Sequence, residues 1–117
     1  MKKLSLLLSL CSLGFVTNGC FAGEWLKGVY VNQDESSLMD ETIFCDSGKA
    51  YAGMAPRLYQ IEEKDDGNYV VLNSNGKFTF KISDDRTELF PADGFTSTWF
   101  TETSLKLDPK RNDTCNW

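Results

Sequence analysis

Apolar and polar side chains alternate along much of the chain with a period of two, the pattern of strands that are half buried. The clearest stretch is Tyr69-Val70-Val71-Leu72, then Asn73-Ser74-Asn75-Gly76, then Lys77-Phe78-Thr79-Phe80-Lys81-Ile82. Asn75-Gly76 suits a two-residue type I′ hairpin turn, and that register sets Ser74 against Lys77, Val71 against Phe80 and Tyr69 against Ile82. Its core face carries Tyr69, Val71, Phe78, Phe80 and Ile82. Upstream, residues 58–64 run into Asp65-Asp66-Gly67-Asn68. A two-residue Asp66-Gly67 loop places Ile61 opposite Leu72. A three-residue loop with Gly67 left-handed places Ile61 opposite Val71 and Tyr59 opposite Asn73. The longer loop is preferred, because it brings Tyr59 and Ile61 to the same core face.

Shorter patterns predict further strands over residues 25–31, 42–45, 49–53, 87–90, 95–101 and 104–107, with Pro109 stopping the last. Asp46-Ser47-Gly48 and Ser83-Asp84-Asp85-Arg86 read as turns, and the polar stretch 32–40 as a loop or short helix. No helical period stands out beyond the N-terminal apolar run. About eight short strands with turn signals every 8–12 residues imply an all-β domain, a small antiparallel barrel or sandwich. Closing the sheet would remove its open edges, with the last strand lying near the first.

The first residues belong to a different pattern. Met1-Lys2-Lys3 is cationic, residues 4–16 are largely apolar, and Cys20-Phe21-Ala22 is a small-x-Ala cleavage site. Residues 1–22 therefore read as a secretory signal peptide of bacterial type, and 23–117 as one exported β domain, periplasmic or secreted. The apolar run falls short of the roughly 20 residues of a spanning helix. Cys20 after Gly19 leaves open a lipid-anchored form; this would be the chain's one route to a membrane, although Thr17 and Asn18 are unusual before a lipidated cysteine.

Cleavage changes the composition that matters. It leaves 95 of the 117 residues, with ten basic against 17 acidic side chains, a net charge of −7. Of four cysteines, Cys45 and Cys115 remain. An even pair in an oxidising compartment implies one disulfide. By loop entropy it is worth about 2–5 kcal/mol, large for a domain with a modest core.

The chain has no histidine, which removes the imidazole base and the commonest metal ligand, so neither metal nor cofactor is expected. Asp65-Asp66 and Asp84-Asp85 sit in turns, where aspartate serves the backbone, and the first of these is too short for a calcium loop of EF-hand type. Ser47 near Lys49 resembles a Ser–Lys pair, but in a polar turn the lysine lacks the desolvation such chemistry needs. No catalytic residue is assigned. The acidic balance argues against nucleic acid and favours a cationic protein partner. Thirteen aromatic residues among 95 exceed what a small core needs. Phe95, Trp99 and Phe100 in a Thr-rich segment, and Trp117 at the C-terminus, are candidate binding anchors.

Gly23-Glu24-Trp25, followed by Gly28 and Tyr30, resembles the Gly-x-Trp opening of lipocalin-type barrels. Ser47-Gly48-Lys49-Ala50-Tyr51 is similar to the Ser-Gly-x-x-Tyr loop of the periplasmic inhibitors of c-type lysozyme, as are Phe44-Cys45-Asp46 and the late Cys115 to their cysteine placement. That resemblance implies a small disulfide-pinned barrel and adds Ser47, Gly48 and Tyr51 to the candidate partner-binding residues. The expected function is that of an exported, non-catalytic inhibitor or immunity protein that blocks a cell-wall hydrolase or another cationic toxin. The alternatives are a lipocalin-like carrier of a small apolar ligand and a surface or adhesion subunit.

Overall fold

The computed structural model describes residues 25–117. The expected signal peptide, with the expected cleavage site and Cys20, falls on residues 1–24, which lie outside the described residues. Eight strands follow in chain order: β1 (Gly28–Asn32), β2 (Glu41–Phe44), β3 (Lys49–Ala52), β4 (Ala55–Lys64), β5 (Gly67–Asn73), β6 (Lys77–Ile82), β7 (Glu88–Pro91) and β8 (Leu105–Asp108). Each pairs antiparallel with the next, and β8 pairs back to β1, so the sheet is a closed barrel. A short helix, α1 (Gly94–Trp99), interrupts the β7–β8 connection, and a 3-10 turn (Asp46–Gly48) joins β2 to β3.

Alternation sends Tyr30, Phe44, Ala50, Ala52, Tyr59, Val70, Leu72, Phe78, Phe80, Ile82, Leu89 and Leu105 into one core cluster. The small Ala50 and Ala52 of β3 face inward beside β2 and β4, whose inward residues Phe44 and Tyr59 are large; this mix fills a narrow barrel. The rings meet edge to face. Phe44 lies 5.0 Å from Tyr59 and 5.6 Å from Tyr30, and Phe100 lies 5.0 Å from Phe78 and 5.1 Å from Phe80. Such contacts contribute about 0.5–1.5 kcal/mol each beyond the burial itself. Leu26, before β1, and Phe100, after α1, are the two core residues outside the strands.

The hairpin registers differ from the sequence expectation in one connected way. Tyr59 and Ile61 of β4, and Phe78, Phe80 and Ile82 of β6, do face the core, but on β5 it is Val70 and Leu72 that point inward, not Tyr69 and Val71. Turning one strand over shifts both flanking registers by one residue. Tyr59 therefore pairs with Leu72 and Ile61 with Val70, across a two-residue Asp65-Asp66 loop. On the other side Asn73 pairs with Lys77 and Val70 with Phe80, across a three-residue loop, Ser74-Asn75-Gly76. Tyr69 stays at the surface, where its hydroxyl donates to Asp66 at 2.9 Å and its ring lies 4.5 Å from Lys64 Nζ.

Residues 95–101 are not a strand. Asp93 caps α1 by accepting from the Thr96 amide at 2.8 Å. The Thr96 hydroxyl in turn accepts from the Thr79 amide at 2.9 Å, which ties the helix to β6. Phe95, the threonines and Trp99 are residue types enriched in strands, but the capping aspartate starts a helix. Residues 33–40 form a loop, without a helix.

Cys45 and Cys115 are bonded, 70 residues apart in sequence. The C-terminal residues, 109–117, run back along the outside of β2 and β3 as a strap. Arg111 forms a two-pronged ion pair with Glu41, at 2.6 and 3.1 Å, and a second with Asp113 at 2.7 Å. The Tyr51 hydroxyl donates to Asn116 at 2.8 Å, and Lys49 Nζ donates to the Trp117 backbone oxygen at 2.6 Å. A structural disulfide of this kind belongs to an oxidising, extracytoplasmic compartment. Among the described residues no helix is long and apolar enough to cross a membrane.

Two buried phenols anchor the N-terminal segment and the 83–87 turn. The Tyr59 hydroxyl shares its one proton between the backbone oxygens of Leu26 and Cys45, and that of Tyr30 donates to the Arg86 backbone oxygen. Burial is the main cause that raises both pKa values, to about 12 for Tyr30 and further for Tyr59. Below the ordinary value of 10 both folded and unfolded chains hold these protons, and the fold has its full stability. Above it the unfolded chain releases protons that the folded chain keeps, so stability falls as pH rises from 10 through about 12. Urea unfolding at neutral and alkaline pH should show this loss. Tyr59→Phe should cost about 1–3 kcal/mol at neutral pH, because it removes the one donor that these two carbonyls share, and should flatten part of the alkaline decline.

Candidate functional site

In an up-and-down barrel, alternate connections gather at opposite ends. At one end lie 45–48, 65–66, 83–87 and the disulfide. At the other lie 33–40, 53–54, 74–76 and 92–104, which contains α1. The second group forms the candidate site, here called the loop end.

Its connections are bound to one another. Asn32 Nδ2 donates to the Met39 and Phe100 backbone oxygens at 2.9 Å, and the Ser37 hydroxyl to Phe100 at 2.7 Å. The Glu102 amide donates to Asp34 at 3.0 Å. Asp34 also accepts from the hydroxyl and amide of Ser36, and these bonds, led by the Ser36 hydroxyl, hold its carboxyl below the ordinary carboxylate pKa. Met39 packs on Gly53, and Phe95 packs on Gly76, where a Cβ would stand 3.1 Å from its ring. Gly76 also has φ +155°, so two demands meet at this one position.

Four large apolar side chains project from this frame: Leu38 at 96% exposure, Met54 at 94%, Trp99 at 67% and Phe95 at 45%. The same four connections carry five carboxylates, Asp34, Glu35, Asp40, Asp93 and Glu102, and not one lysine or arginine. The opposite end is mixed: Asp46, Asp65, Asp66, Asp84, Asp85 and Asp113 stand among Arg86, Lys110 and Arg111. Isolated exposed apolar residues are ordinary, but here four lie on the connections of one end, among one sign of charge.

The candidate residues named from sequence do not come together. Phe95 and Trp99 are at the loop end. Phe100 is not a surface residue: at 1% exposure it lies in the core against Phe78 and Phe80, because the helix turns it inward. Ser47 is exposed on the 3-10 turn at the disulfide end, with φ +65°, and Gly48 beside it is buried, where a Cβ would stand 2.9 Å from the Tyr59 backbone oxygen. Tyr51 is not part of that turn; it lies on the outer face of β3, hydrogen-bonded to Asn116 and edge-on to Trp117 at 6.4 Å. Lys49 is engaged by Trp117, with its Nζ 5.3 Å from the ring, rather than turned to Ser47. Leu38 and Met54 were not singled out in the sequence. Their signal is an apolar residue inside a turn-forming stretch, Ser37-Leu38-Met39 and Gly53-Met54.

The acidic doublets serve the backbone and their neighbours. Asp85 accepts from the hydroxyls of Ser83 and Thr87, and Asp66 from Tyr69; each has its pKa lowered, chiefly by these bonds. Among the described residues no group of three or more histidine, cysteine or acidic side chains is placed to hold a metal. Comparison with family models, curated proteins and solved structures finds no significant match.

The two loop-end aromatics should separate by stability. Trp99→Ala should leave the unfolding free energy from urea titration within about 0.5 kcal/mol of wild type, since the ring is largely exposed. Phe95 stacks on Phe78 at 5.0 Å, so Phe95→Ala should cost more, about 1–2 kcal/mol.

Proposed function

We propose that this chain is an exported, non-catalytic binding protein that docks on a cationic protein and blocks it. It would act as an inhibitor or immunity factor against a lysozyme-type cell-wall hydrolase or another cationic toxin in the periplasm. The observation that carries this reading is the loop end, where four exposed apolar side chains stand among five carboxylates with no cation in the same connections. Apolar anchors supply the affinity of such an interface, and the surrounding charge steers the encounter and selects the partner's sign. The hydrogen bonds between connections hold the surface in place before binding, which lowers the entropy cost of docking. Edge-to-face rings run through the barrel interior, the space a carried ligand would need, and this favours binding on the outside.

The test is to mix residues 23–117 with c-type lysozymes and with other cationic peptidoglycan hydrolases and toxins. The expected result is a stoichiometric complex and saturable inhibition, with an association rate that falls steeply with salt. Trp99→Ala should weaken that complex about 30-fold while leaving the fold intact. The absence of inhibition and of any complex across these proteins would contradict the reading.

A further inference from the structure

Beside Met54 the loop end continues onto the outer face of β2 and β3. There a cleft of about 250 Å³ is lined by Glu41, Ile43, Tyr51 and Met54. Three of the four lining side chains are apolar or aromatic, and the one charged group is a carboxylate. The volume falls below the ~300–1,000 Å³ of a small-molecule site.

Resting on the docking reading above, we infer that this cleft takes an arginine or lysine side chain of the cationic partner. The aliphatic stem would lie along Ile43, Tyr51 and Met54, and the cationic head would reach Glu41. Arg111 bonds once to each Glu41 oxygen, at 2.6 and 3.1 Å. A carboxylate offers about four acceptor positions, so two remain. Arg111 is shared with Asp113, and the three groups together carry one net negative charge. The strap also fixes the wall, since Tyr51 is held by Asn116 and its ring is set against Trp117. Met54 belongs to both surfaces, which makes the cleft a continuation of the docking end.

The test needs no partner protein. N-acetyl-arginine methylamide is titrated into residues 23–117 while the methyl resonances of Ile43 and Met54 are followed by NMR. N-acetyl-citrulline methylamide, of the same shape without the charge, is the control. Saturable shifts with the arginine compound are expected, with binding about fivefold weaker for citrulline and for Glu41→Gln. Because Glu41→Gln also loosens Arg111, Met54→Asn serves as a second variant. Met54 is exposed at φ +68°, which asparagine tolerates, so this change removes the apolar wall without disturbing the fold. Equal binding of the citrulline compound, unchanged binding by both variants, or no shift at all overturns the pocket. Those results with an intact protein complex leave the docking reading standing, and a working pocket without a complex overturns the docking reading alone.

Discussion

Everything described depends on closure of the sheet through β1, which pairs with β2 on one side and β8 on the other. Closure removes both edges, and with them the unpaired backbone groups that invite aggregation. It also decides inside and outside for every strand at once, because side chains alternate and the ring admits one interior. The Tyr30 hydroxyl reaches the Arg86 backbone oxygen, in the turn before β7, because closure sets β1 beside β8 and so near β7. The Cys45–Cys115 bond links the end of β2 to the C-terminal strap, adding a covalent tie on the outside of the barrel.

Much of this is legible in the residues, and the exceptions have physical causes. Strand positions, the closing disulfide and the pairing of last strand with first follow from alternation, turn residues and cysteine arithmetic. The inward face of β5 does not, because Tyr69-Val70-Val71-Leu72 is apolar at every position and alternation cannot choose between its faces. Interactions beyond the strand choose: Tyr69 finds Asp66 and Lys64 at the surface, and Val70 and Leu72 fill the core. The consequent change in both flanking loops is automatic. Helix α1 escapes for a different reason. Its six residues are too few for a helical period to show, and its one local signal is the Asp93 cap.

The candidate surface is less legible than the fold. Trp99 and Phe95 were identifiable as surplus aromatics, but Leu38 and Met54 acquire meaning only when topology brings their connections to one end. The segregation of charge is likewise a property of connections. Net charge belongs to the whole chain, whereas the set of five carboxylates without a lysine or arginine appears only when the four loop-end connections are taken together. The residues suggested by resemblance to lysozyme inhibitors, Ser47, Gly48 and Tyr51, fall at the disulfide end and on the outer face of β3. Binding through the loop end and binding through the Ser47 turn are therefore spatially opposed alternatives.

That opposition gives the most direct measurement. Amide hydrogen exchange, followed by mass spectrometry with and without a cationic hydrolase that forms a complex, reports which connections become protected. Docking through the loop end predicts protection in 33–40, 53–54 and 92–104, with no change in 45–48, 65–66 and 83–87. Protection centred on the Ser47 turn, with the loop end unchanged, would contradict it.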